Sequence, residues 1–189
     1  MGDCYCWVVQ VPGNGHLRYS RASPVQDNKM TTLVAMTPHE FDAYLQYSAM
    51  GYAEDNVRSG RWPEQGAMER ALADMRNSLP QGVHTPDQHL FNITDDSGSV
   101  VGHLWYATFD QCGHRSAFIY DIEILPEHRQ QGHATGAIKA MREQLAESGI
   151  HDIQLHVFAF NEGAIALYRK LGFTVSGFNM FLRDSPAAQ

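Results

Sequence analysis

Cysteine is scarce in this chain of 189 residues: Cys4, Cys6 and Cys112 make an odd count with no metal-like spacing. That excludes a disulfide framework and fits a reducing compartment. Long apolar runs are missing too. None approaches the roughly 18 residues that a membrane span requires, and no basic segment followed by an apolar one opens the chain. A soluble, cytoplasmic protein is the expectation. Positive charge is the third shortage, with 14 Lys and Arg against 21 Asp and Glu and a formal net charge of −7. A nucleic-acid binder needs a clustered basic surface, so that class is excluded, whereas a cationic small molecule suits the balance. No G-x-x-x-x-G-K-[ST] stretch exists, and "GHATGA" lacks the third glycine of a dinucleotide fingerprint. The ten histidines form no H-x-x-x-H pair, so no metal is expected.

What is present is a chain that is 43% hydrophobic, enough for one domain with a buried core. Residues 1–29, with "VPGNGHLRYSRASPVQDNK", have no sustained apolar period and read as a loosely ordered N-terminal extension. Cys4, Cys6 and Trp7 form a small apolar cluster there, a candidate sheet-edge or homodimer contact. The domain proper is expected over 30–184, with 185–189 as a tail. "TTLVAM" predicts a strand, and "TPHEF" opens a helix with Thr37 as cap, Pro38 at the first position and Glu40 completing a capping box. A second helix is expected from near Pro63 to Leu79. "HLFNIT" and "VVGHLWYAT" flank the turn cluster "DDSGS" and predict a hairpin, followed by the strand "SAFIYDIEIL". A helix opening at Gly132, a strand over "IHDIQLHVFAF", a helix capped by Asn161 and a closing strand or hairpin in "FTVSGFNMFLRD" complete the order.

One junction is richer than a connection requires. Between the strand ending at Leu125 and the helix opening at Gly132 lies a polar turn with Arg129, Gln130 and Gln131. A helix N-terminus carries unpaired N–H groups and about half a positive charge, a ready anion site. Gly132, Ala134 and Gly136 keep side chains small there, so that a bulky anion could reach the backbone, and Arg129 adds a fixed charge. A plain strand-to-helix turn is the competing reading.

"RQQGHA", Arg129 to Ala134, resembles the Q/R-x-x-G-x-G/A signature of the GNAT (Gcn5-related N-acetyltransferase) superfamily. "LHVFAFNEGAIALYRKLGF", Leu155 to Phe173, resembles that family's second block of strand, Asn, helix, Tyr and Gly-Phe. Both blocks stand in order, and the first half is similar to bacterial members with a helical insert after the first strand. The resemblance implies an α/β (mixed α+β) fold of the acyl-CoA N-acyltransferase type. Its central mixed sheet is splayed between the fourth and fifth strands, with helices on both faces. It implies acetyl-CoA as co-substrate, its pyrophosphate held by backbone amides from Gln130 through Gln131, Gly132, His133 and Ala134 to Thr135, with Arg129 alongside. The pantetheine arm is implied to bond to backbone at Ile122 and Ile124, with Asn161 contacting the cofactor and Tyr168 protonating the departing thiolate. His133 departs from the usual apolar residue. An amine must lose a proton to attack. Glu123, facing opposite to Ile122 and Ile124, and His156 on the neighbouring strand are the candidate bases, ahead of His103 and His114. Tyr52, Trp62 and Trp105 are candidate walls of an acceptor pocket, with Glu54, Asp55 or Asp110 facing a cation. The expected function is N-acetylation of a small-molecule primary amine by direct attack in a ternary complex. A protein or peptide N-acetyltransferase and a non-catalytic acyl-CoA-binding sensor remain open.

Overall fold

In the computed structural model, which describes residues 31–180, the strand β1 (Thr32–Ala35) gives way at Thr37 to the long helix α1 (Pro38–Arg58). Glu40 reaches back to accept from the Thr37 N–H at 2.8 Å and from its hydroxyl at 2.6 Å. Pro38 takes the first helical position, where no N–H is needed. The second Glu40 oxygen accepts from Asn92 at 2.8 Å and ties the helix start to the sheet. The helix α2 (Ala67–Ser78) starts later than Pro63, because Gly66 adopts a left-handed φ of 75° and forms the cap there.

The strands β2 (Gln88–Thr94), β3 (Val100–Gln111) and β4 (His114–Ile124) form an antiparallel meander beside β1. Asp95 closes the first hairpin by accepting from the N–H groups of Ser97 and Ser99. Cys112 and Gly113 close the second with φ of 53° and 84°, the mirror-image turn that matches strand twist. The helix α3 (His133–Glu147) then carries the chain to β5 (Asp152–Leu155), parallel to β4, and α4 (Glu162–Lys170) follows. The sheet order is β1-β2-β3-β4-β5.

Each face of the sheet carries its own core. α3 and α4 pack Ile138, Met141, Leu145 and Ala164 against Ile93, Leu104, Ile119, Ile122 and Ile124. Fully burying one such aliphatic side chain contributes about 1.5–3 kcal/mol. On the other face α1 and α2 pack Tyr44, Leu45, Ala49, Tyr52, Ala71 and Met75 around Trp105.

A single irregularity decides which side chains face which core. Trp105 lies opposite Asp121 and Tyr106 opposite Ile119, so Tyr120 is a bulge with no partner across the ladder. The bulge reverses the alternation of β4. Ala117 and Ile119 before it, and Ile122 and Ile124 after it, all face α3 and α4. Asp121 and Glu123 therefore turn to α1.

Pairing between β4 and β5 runs only from Ser116↔Asp152 to Ile119↔Leu155. Beyond it the two strands part, and β4 continues to Ile124 with its β5-side edge unpaired. The strand expected through Phe160 thus ends at Leu155. No strand occurs over 173–180 either, where Gly177 breaks the alternation and Val175, Phe178 and Met180 stand exposed. The expected extension 1–29 and tail 185–189 lie outside the described residues. Among the described residues no helix is long and apolar enough to cross a membrane.

Candidate active site

The gap between β4 and β5 collects most of the residues singled out by the sequence. Leu125 donates its N–H to the Val101 carbonyl at 2.9 Å, and the Glu123 carbonyl lies only 2.1 Å from where a Cβ on Gly102 would stand. These odd positions of β4 therefore direct their backbone toward β3. By alternation, Ile122 and Ile124 direct theirs into the gap. Their side chains are buried on the α3 and α4 side.

The turn that follows is built from left-handed residues. Gln130 has φ of 60° and Gly132 of 90°, a spacing of turned amides from which anion-binding concavities are made. Gly132 is the cap residue of α3, and the helix has neither a side-chain cap nor an acidic residue in its first turn. None of the described residues lies within 4 Å of where a Cβ on Gly132 would be. Among the described residues the first-turn N–H groups thus meet no side-chain cap and an open approach.

Three neighbours of this turn differ from the simplest reading. Gly136 is small because Thr31 packs on it, with 2.7 Å from a would-be Cβ to the Thr31 side chain. His133 turns inward, only 2% exposed, with Nδ1 3.2 Å from the Thr31 hydroxyl. Its side chain serves packing and leaves the backbone at the turn. Arg129 folds back over β4, where Nε donates to the Ile124 carbonyl at 2.8 Å and Nη2 to Glu123 Oε1 at 3.2 Å. Gln131 donates to the Glu127 carbonyl, and Ala134 and Thr135 continue into the helix.

Glu123 is the hub of the α1 face. Its Oε1 accepts from the Tyr47 hydroxyl at 3.0 Å as well as from Arg129. Burial raises its pKa, while Tyr47 and Arg129 oppose the rise. Tyr47 in turn is pushed up to about 12 by burial and by the facing carboxylate. Asp121 is more deeply buried. Tyr44 and Ser48 both donate to its Oδ2, at 2.9 and 2.8 Å, leaving Oδ1 to carry a proton. Burial first, then the Glu123 charge, raises its pKa to about 7.

This has a consequence for stability. An unfolded Asp ionises near pH 4, so between that pH and about 7 the folded state holds a proton that the unfolded state has lost. The contribution is complete at low pH and disappears as pH rises through neutrality. Asp121→Asn is therefore expected to flatten the fall in melting temperature between pH 5 and pH 8 by several degrees. Parallel melting curves for wild type and variant would sink the assignment.

On the far side of the gap, His156 has a buried Nε2 with no partner among the described residues, and burial lowers its pKa. Asn161 caps α4, its Oδ1 accepting from the Ala164 N–H at 3.1 Å. Tyr168, 5% exposed, packs its ring edge-on to Phe173 at 5.5 Å within the core that contains Ile122 and Ile124. Glu123 and Tyr168 accordingly lie on opposite faces of the sheet.

The expected pocket walls belong to the core on the α1 face of the sheet. Trp105 is wholly buried, stacked on Tyr120 and donating its indole N–H to Gln88 at 2.7 Å. Tyr52 is 4% exposed and meets Trp62 edge-on, while Arg70 covers the Trp62 ring. Both faces of this sheet are covered, so these aromatics go to packing. Asp110 sits opposite Arg115 near the hairpin end of β3, and Glu123 opposite His103 near the other end. His103 is wedged against Tyr44 and Tyr47, and His114 is exposed beside the hairpin turn. Asp121 and Tyr47 escaped the sequence reading. Their signal was the "D-x-E" alternation in an otherwise apolar strand, which marks a buried polar face awaiting donors.

The family comparisons agree with this geometry. A family model described as the acetyltransferase (GNAT) family matches residues 51–173. The chain is 34% identical over 149 residues to YdgE, an uncharacterized N-acetyltransferase of Bacillus subtilis, spanning 79% of this chain and 95% of that one. The crystal structure of YycN from the same organism aligns with a TM-score of 0.79 at 31% identity, covering 83% of this chain and 100% of YycN. A mycothiol acetyltransferase of Paenarthrobacter aurescens is 32% identical over 113 residues, which are 59% of this chain and 34% of that relative. A five-stranded mixed sheet with four helices, a split between its last two strands, an open glycine turn at the split and N-acetyltransferase relatives matched over nearly their whole length together mean that this chain is an acetyltransferase of the GNAT family.

Proposed function

We propose that the protein transfers an acetyl group from acetyl-CoA to a primary amine of a small molecule, by direct attack in a ternary complex. The observation that carries this reading is the gap itself, with inward backbone at Ile122 and Ile124, Glu123 on one face and Tyr168 on the other. The residues fit the cofactor. Gly132 leaves open space beside uncapped helical N–H groups, the environment that a pyrophosphate requires. Gln130, Gln131, Gly132, His133, Ala134 and Thr135 would hold that group through backbone amides, and Asn161 would add a polar contact from the start of α4. Arg129 would act from the side, its guanidinium shared with Glu123. Acetyl-CoA, when bound, supplies an activated acetyl thioester.

This chain's own groups do the rest. Glu123 takes the proton that the acceptor nitrogen loses as it bonds to the acetyl carbon, and burial, by raising its pKa, makes it a stronger proton acceptor. The Ile122 and Ile124 N–H groups orient the thioester and stabilise negative charge on its oxygen. Tyr168 gives its proton to the sulfur as the carbon–sulfur bond breaks. His156 is the alternative base, from the β5 side. Mycothiol acetyltransferases among the relatives support a small-molecule acceptor. The test is acetyl-CoA-dependent thiol release across a panel of amines, with wild type and Glu123→Gln. Amine-dependent release that falls about 10²-fold or more in the variant is expected. Release unaffected by Glu123→Gln would remove the carboxylate from the reaction.

A further inference from the structure

α1 crosses the sheet one strand at a time. Glu40 bonds Asn92 of β2, Tyr44 packs on His103 of β3, and Tyr44, Ser48 and Tyr47 reach Asp121 and Glu123 of β4. At its far end Arg58 stacks over Phe160, beyond β5, at 4.2 Å. Asp55 lies between these last two stations, seven residues past Ser48 and three before Arg58. A helix advances about 1.5 Å per residue, so Asp55 stands roughly 10 Å beyond the β4 contact, above the gap.

Asp55 is unusual there. It is only 5% exposed, yet its carboxylate has no hydrogen-bond or ion-pair partner among the described residues. Asp121, Glu123 and Glu54 add negative charge nearby, and Arg58 is the cation that it feels. A buried carboxylate without a partner is costly unless a ligand supplies one. A second observation marks the same place. Gly51, one turn before Asp55 and one after Tyr47, interrupts a 21-residue helix, and none of the described residues lies within 4 Å of where its Cβ would be. Glycine within a helix is unfavourable, and its presence here leaves room for a ligand group at that row of the helix.

We propose that Asp55 and the opening over Gly51 form a cation subsite in which the acceptor's second, non-reacting positive group sits. The preferred acceptor is then a dication, one amine reacting at Glu123 and a second ammonium or guanidinium held by Asp55. This rests on the amine-acetyltransferase reading above and narrows its substrate class. Burial pushes Asp55 up to about 6, so it is charged at an assay pH of 7.5, and the net charge of −7 favours such a ligand.

The test compares α,ω-diamines of three to six carbons with monoamines of equal length. The wild type is expected to favour at least one diamine by tenfold or more in kcat/KM, and Asp55→Asn to bring that ratio close to one. Gly51→Leu fills the opening with a strong helix former, and is expected to reduce the same ratio while melting no lower than wild type. It carries the test if the Asp55 variant fails to fold. No diamine preference, or one that both variants retain, overturns the subsite. If no amine is acetylated at all, calorimetry of the diamines on the CoA-bound protein separates the two ideas. Binding that Asp55→Asn abolishes supports the subsite without the reaction, and absence of binding refutes it.

Discussion

Tyr168→Phe is expected to lower the turnover number by about 10²–10⁴ with little change in acetyl-CoA affinity. The substitution removes one hydroxyl from the C-terminal half of α4 and keeps the ring that packs on Phe173 and the surrounding core. A loss confined to turnover, with the melting temperature close to wild type, therefore reports on proton transfer and not on packing. Donors whose thiolate departs without protonation should recover most of the lost rate. Single-turnover measurements must first establish that bond making and breaking limits the rate. If it does and turnover is unchanged, Tyr168 is a packing residue only.

The second large effect concerns Gly132→Asp. The backbone there has φ of 90°, which disfavours a side chain, but no described residue crowds a Cβ and Asp tolerates left-handed backbone better than most residues. Asp also caps helices well, and α3 has no side-chain cap of its own. The domain is thus expected to fold. Its cofactor site is expected to fail, since the new carboxylate would stand at the closest approach to a pyrophosphate. Calorimetry should show acetyl-CoA affinity reduced by 100-fold or more, about 2.7 kcal/mol. Gly132→Asn, of equal size and neutral, should lose far less, and that contrast isolates charge from strain. Wild-type affinity in the Asp variant would remove the turn from the cofactor site.

Much of this arrangement was legible locally. Thr37 with Glu40, Asn161 before α4 and Gly149 after α3 are cap signals whose chemistry works within one helical turn, and each acts as expected. The face of α1 follows from the spacing of Tyr44, Leu45, Ser48 and Ala49, all buried. What the sequence hid depends on distant partners. Trp105 reads as a pocket wall until both faces of the sheet are seen to be covered. Gly136 reads as a ligand approach until Thr31 is found against it. Arg129 reads as a free cation, yet the Ile124 carbonyl and Glu123 occupy its guanidinium. Asp121 shows locally only as a carboxylate in an apolar strand, and its role stays hidden because its donors come from α1, 73 and 77 residues earlier in the chain.

The bulge at Tyr120 sets a rule about insertions and deletions in this strand. The strand holds one residue more than its partner needs, so removing Tyr120 itself would restore unbroken alternation and leave Asp121 and Glu123 facing α1 and Ile122 and Ile124 facing the aliphatic core. Removing a residue nearer the Cys112–Gly113 turn, such as Phe118, would instead exchange the faces of those between it and the bulge, sending Ile119 toward α1 and Tyr120 into the aliphatic core. Length is therefore cheap to lose at one position of this strand and costly at the others. In a lineage descending from this chain, a residue missing from this strand should be missing at Tyr120.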